Sequence, residues 1–158
     1  MTWGHRAIAA LEGGRGEEVT LEAQDLRVRF RVEVADRVGC AVAGFRVEDL
    51  RAPAPDAEGL RAWADRVAGR VTYLMERVAV VEADASSGSA LLRSAPPDRR
   101  GDTRSYYEMA LRPPGTLTLA RYRYRTGDRT RTEVPCHLTR EAFERLVDDL
   151  AETVRAAD

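Results

Sequence analysis

The chain has 158 residues, close to the usual size of one domain, and sets 25 basic against 26 acidic residues for a net charge of −1. Apolar residues at 44% and charged residues at 32% suit a folded domain, and no apolar run approaches the roughly 20 residues that cross a bilayer. Composition therefore argues against a membrane-spanning helix, and the near-neutral balance gives no global argument for nucleic acid.

All 25 basic residues are arginine, with no lysine, no asparagine and one isoleucine in the chain, the pattern of coding bias toward G+C. Arginine standing in for lysine says little about phosphate, but the missing amine excludes Schiff-base chemistry and a phosphate-loop lysine. The N-terminus has no apolar core behind a basic start, so no secretory signal is expected and the cytoplasm is the expected compartment. Cys40 and Cys136 lie too far apart in sequence for a zinc or redox motif, and reducing compartments disfavour a disulfide between them.

In chain order, Gly13-Gly-Arg-Gly16 reads as a loop, since it lacks the strand before and helix after that a dinucleotide fingerprint demands. Val19–Ala23 and Leu26–Val34 then alternate apolar with polar residues, and the intervening Gln24-Asp25 makes them a hairpin. A third strand is expected over Gly39–Val47. Two prolines make residues 51–56 a connector, after which Asp56 caps a helix carrying Leu60, Trp63, Ala64 and Val67 on one face. The helical period continues to Val78, but β-preferring residues favour strand over 71–84.

A meander follows, with turns at 85–88, 95–101, 113–115 and 127–128 separating strands near 89–94, 104–112, 116–126 and 129–135. The last element is a helix capped by Thr139, with Phe143, Leu146, Val147, Leu150 and Val154 on its apolar stripe. The expected fold class is α+β: one domain over 1–158, a mostly antiparallel twisted sheet of about seven strands with two amphipathic helices packed on its apolar face.

One stretch departs from the even charge. Arg93 to Arg131 holds ten arginines against Asp98, Asp102, Glu108 and Asp128, an excess of six positive charges. Five of them, Arg121, Arg123, Arg125, Arg129 and Arg131, fall in one hairpin with Tyr122 and Tyr124, and Arg99 and Arg100 sit in the preceding proline loop. A two-residue turn at Gly127-Asp128 pairs Arg125 with Thr130 and Tyr124 with Arg131, splitting the arginines between faces; a three-residue loop gathers all five on one. Leu117 and Leu119 share parity with Arg121, Arg123 and Arg125, which predicts that the hairpin tip leaves the packed core. These residues, with Arg99 and Arg100, are the candidate binding site.

Other chemistry is thinner. Cys136-His137 offers a thiol and an imidazole that point apart on an extended segment, so a Cys40/His137 enzyme depends on tertiary juxtaposition. Glu82 and Asp84 share a face, with Glu76 at the same parity upstream, and read as exposed acids. No cofactor is expected. The favoured reading is a non-enzymatic binding or adaptor domain that engages a protein partner or a second copy of itself. Anion or nucleic-acid binding through 121–131 is the alternative, and no membrane partner is expected.

Overall fold

A computed structural model describes residues 2–13, 16–84, 86 and 88–155. Its helices are α1 (Trp3–Ala10), α2 (Ala57–Arg70) and α3 (Arg140–Arg155). Ten strands occur among these residues: β1 (Glu18–Ala23), β2 (Leu26–Ala35), β3 (Gly39–Asp49), β4 (Arg77–Asp84), β5 (Ser89–Ala95), β6 (Asp98–Arg100), β7 (Thr103–Arg112), β8 (Thr116–Arg125), β9 (Thr132–Val134) and β10 (Cys136–Thr139). Every pairing is antiparallel. Seven strands form the main path, β1-β2-β3-β8-β7-β5-β4, and the short β10, β6 and β9 pair with β3, β7 and β8. The α+β class and the antiparallel sheet agree with expectation.

Period-2 alternation fixes which face the helices cover. Leu26, Val28, Phe30 and Val32 of β2 align with Val42, Phe45 and Val47 of β3, Leu117 and Leu119 of β8, and Met109 and Leu111 of β7, all in one buried cluster with the apolar stripes of the helices. At its centre the Phe143 ring stands edge-on to Phe30 and Phe45, with centroids 5.2 and 6.5 Å away. The β1–β2 hairpin turns on Gln24 and Asp25, both at positive φ (51° and 65°), as a two-residue turn that follows the sheet's twist requires. Asp56 caps α2 through the Gly59 N–H at 2.7 Å, and Thr139 caps α3 through the Ala142 N–H at 3.0 Å.

The structure corrects the expected elements in four places. Among the described residues there are three helices rather than two: α1 is capped by Thr2 and buries Gly4 and Ala7, and Gly4 meets α3 so closely that a Cβ there would clash with the Glu144 carbonyl oxygen. Residues 71–76 are irregular and β4 starts only at Arg77, because Val71 and Leu74 are used as buried anchors where the chain crosses from α2 to the sheet edge. Asp98–Arg100, expected inside a turn, is a strand on β7. The strand expected over 129–135 is only Thr132–Val134, and β10 follows it after Pro135, which has no N–H to give a ladder. The loop expected at 13–16 falls partly outside the described residues, which include a 3-10 turn over Leu11–Gly13; the turn at 85–88 does so too, with Gly88 N–H bonded to the Asp84 carbonyl at 2.8 Å.

One irregularity of the sheet positions the site. β3 and β8 pair only from Phe45/Leu119 to Glu48/Thr116. Beyond Leu119, β8 takes β9 as its partner, and the start of β3 takes β10. The segment 132–139 therefore runs back along β8, turns at Pro135 and runs out along β3, filling the opening of the sheet as a V.

Candidate functional site: an arginine-lined groove

The β8–β9 register settles how the hairpin's arginines divide. Arg121 lies opposite Val134, Tyr122 opposite Glu133 and Arg123 opposite Thr132, the register of the two-residue-turn alternative, although the turn itself spans Arg125–Asp128 with Gly127 at φ +94°. Arg121, Arg123 and Arg125 thus share the helix-side face, and the gathering of all five on one face does not occur. Arg27, Arg29 and Arg31 of β2 fall on the other face, which carries no helix.

The parity conflict between Leu119 and Arg121 resolves without a bulge, for β7 and β8 stay in register from Arg112/Thr116 to Thr103/Arg125. The tip does pass beyond the helices, yet β7 backs it throughout and the Thr126 N–H donates to the Asp102 carbonyl at 2.7 Å, so it is no free ribbon. Arg121 closes the end of the core: its side chain is 11% exposed, its Nη1 donates to Glu76 Oε1 at 2.9 Å, and its guanidinium lies 4.5 Å from the Tyr107 ring centroid. Burial pushes the Tyr107 phenol up to about 12. Glu76 is therefore a buried partner of Arg121 and does not join Glu82 and Asp84, which lie in β4 beyond a register shift at Val80/Glu82.

Past Arg121 the same face opens into a groove of about 830 Å³. Strand side chains at alternate positions form its floor: Thr103, Ser105 and Tyr107 of β7, Arg121, Arg123 and Arg125 of β8, and Thr132 and Val134 of β9. Met75, Asp98, Arg100, Pro135 and His137 wall it. Arg100 reaches Asp98 at 3.3 Å, and Arg121 has Glu76; no ion pair or hydrogen bond engages the guanidinium of Arg123 or Arg125 among the described residues. Two planar cations without an ion pair, with Ser and Thr hydroxyls beside them, offer the kind of donors that carboxylate or phosphate oxygens accept from.

The remaining candidate residues lie elsewhere or are already engaged. On the opposite face, Arg131 donates to both Glu108 oxygens at 2.7 and 3.0 Å and to the Tyr106 hydroxyl at 2.8 Å, with its guanidinium 3.7 Å from the Tyr122 centroid. Arg93 meets the same carboxylate at 2.9 Å. Burial alone would raise the Glu108 carboxyl, but hydrogen bonds from Arg131 and Arg93 outweigh it and hold the group below the usual range. Tyr124 borders the groove while its ring packs against Tyr106. Arg99 and Arg129 are exposed and do not line the groove. Sequence reasoning missed Thr103, Ser105 and Tyr107, although their alternation in the neighbouring strand was the available signal; Met75, Pro135 and His137 arrive by tertiary routes without one.

Cys40 and His137 sit on adjacent strands, but Cys40 pairs with Leu138 and His137 with Ala41, so their side chains leave opposite faces. Cys136 lies diagonally from Cys40 and both thiols are free. Burial pushes Cys40 up to about 11 and Cys136 up to about 12, away from the thiolate a nucleophile needs. No group of three or more metal-ligating side chains occurs among the described residues, and no helix there is long and apolar enough to cross a membrane. No protein-family model, no curated protein and no solved structure matches the chain.

Proposed function

We propose that the protein is a non-enzymatic binding domain whose groove holds an acidic segment of a partner protein. The observation that carries this reading is the pair Arg123 and Arg125, side by side on one strand face, uncompensated and set in a concavity of ligand size. Several arginines meet acids, as with Arg27 to Glu22, Arg31 to Glu33 and Arg46 to Glu48, while others such as Arg37, Arg77 and Arg112 stand in solvent; Arg123 and Arg125 differ from these in lying together in a concavity beside hydroxyl groups, which is what supports a place for an external anion.

A protein carboxylate fits better than a nucleic-acid backbone. With Arg121 held by Glu76 and Arg100 by Asp98, the lining leaves Arg123 and Arg125 beside Asp128, enough for one or two carboxylates and short of a track for phosphates. The tyrosines that base stacking would use are also committed: Tyr122 carries Arg131, and Tyr107 lies beneath Arg121.

Fluorescence anisotropy with a dye-labelled hexapeptide of alternating aspartate and glutamate tests the reading. Binding should weaken as salt rises, and Arg123→Ala with Arg125→Ala should weaken it at least about tenfold, since each removes a charge-assisted contact. Equal binding by the double variant would overturn the proposal, and tighter binding of a single-stranded oligonucleotide of equal charge would replace it with the nucleic-acid reading.

A further inference from the structure

The floor of the groove is laid out in rows set by the strand register. Ser105 of β7 lies opposite Arg123 of β8, and Arg123 lies opposite Thr132 of β9, so one row runs Ser105, Arg123, Thr132. The next row outward pairs Thr103 with Arg125, and the next row inward runs Tyr107, Arg121, Val134. Directly opposite residues share a face with their Cβ atoms about 4.5–5.5 Å apart, which gives Arg123 a hydroxyl on each side and Arg125 one from Thr103. Successive rows stand two residues apart along β8, about 6.6 Å at the usual rise of a strand.

That spacing filters how a ligand can present its acids. In an extended chain, side chains at i and i+2 leave the same face at the spacing of the rows, while those at i and i+1, or i and i+3, leave opposite faces. On a helix, by contrast, neighbours on one face are three and four residues apart. The inner row has no place for a third acid, because Glu76 already holds Arg121 and the Val134 side chain has no donor. Past the outer row, Asp128 lines the groove and repels an acid there.

We infer that the site reads two acids at alternate positions of an extended segment, acid-x-acid, one facing Arg123 and the other Arg125, with the residue between them turned away from the sheet. This rests on the reading of the groove as an acidic-peptide site and specifies which acidic segments it takes. Each carboxylate accepts from one guanidinium and from the hydroxyls of its row, contacts that depend on position. Attraction through solvent alone would count charges with little regard to their spacing.

Fluorescence anisotropy with three dye-labelled peptides of one composition separates these cases. Each carries two aspartates among serines and glycines, placed at alternate positions, side by side, or with two residues between them. The alternate peptide should bind at least about tenfold tighter than either of the others, the worth of one charge-assisted contact. Arg123→Ala or Arg125→Ala alone should remove that preference by bringing the alternate peptide down to the affinity of the others. A third aspartate at the next alternate position should add less than about twofold, and a second tenfold gain would overturn the two-acid limit. Equal affinities for the three peptides, all lowered by the double substitution, would overturn the spacing and leave the groove reading intact. Binding by none of them, nor by the alternating aspartate and glutamate hexapeptide, would overturn the groove reading and the spacing with it.

Discussion

The two faces of one sheet use the same residue for different ends. On the face without helices, Arg27, Arg31, Arg46, Arg93 and Arg131 each meet a carboxylate, and Glu108 serves two of them at once. On the helix side, β8 carries Arg121 into a buried pair and then presents Arg123 and Arg125 to a groove with no acid of their own. Counting arginines cannot separate these cases; the partner each one finds tells structural charge from open charge, and the groove around Arg123 and Arg125 is what sets them apart from open charge on the plain surface.

Substitutions can break that contrast, beginning with the buried pair. Glu76→Leu leaves the Arg121 guanidinium unpaired where the core ends, and the loss should be about 3 kcal/mol, read from the denaturant midpoint. Glu108→Gln removes the acceptor of two arginines and should cost about 1–3 kcal/mol. Because the folded Glu108 carboxyl lies below its usual 4.5, its stabilisation is complete above that pH and is lost as the pH falls through the depressed value. The Gln variant should therefore show a shallower acid decline of stability, measured by urea titrations from pH 7 to 3. Arg27→Ala, at a surface pair, should cost under about 1 kcal/mol. Smallest of all, Arg123→Ala and Arg125→Ala should each change stability by under about 0.5 kcal/mol, since neither gives up a contact in the fold, while weakening acidic-peptide binding.

How legible was this from the residues alone? The β2 alternation as far as Val32, the Gln24-Asp25 turn, the Asp56 and Thr139 caps and the α3 stripe are local patterns that appear in the structure as read, whereas Val34, past a register shift against β3, is 41% exposed. α1 escaped notice because its eight residues fully bury only the small Gly4 and Ala7 and rely on α3, a contact that lies 140 residues away in sequence. The hairpin's hydrophobic parity correctly marked where β8 passes the core, but it could not supply Glu76, which reaches Arg121 from an irregular segment. Nor could it foresee the V at Pro135, since the parting of β3 from β8 is a property of the whole sheet. The groove is therefore half legible: its floor follows from alternation along β7 and β8, its walls from tertiary folding.

The most direct test of the ligand role of Arg123 and Arg125 is an NMR titration of assigned arginine Nε–Hε signals with the acidic hexapeptide. Arg123 and Arg125 should shift progressively with peptide concentration, while Arg27, Arg31 and Arg46, already held by their own glutamates, stay in place. Shifts confined to those three, or none at Arg123 and Arg125 at saturating peptide, would contradict the account.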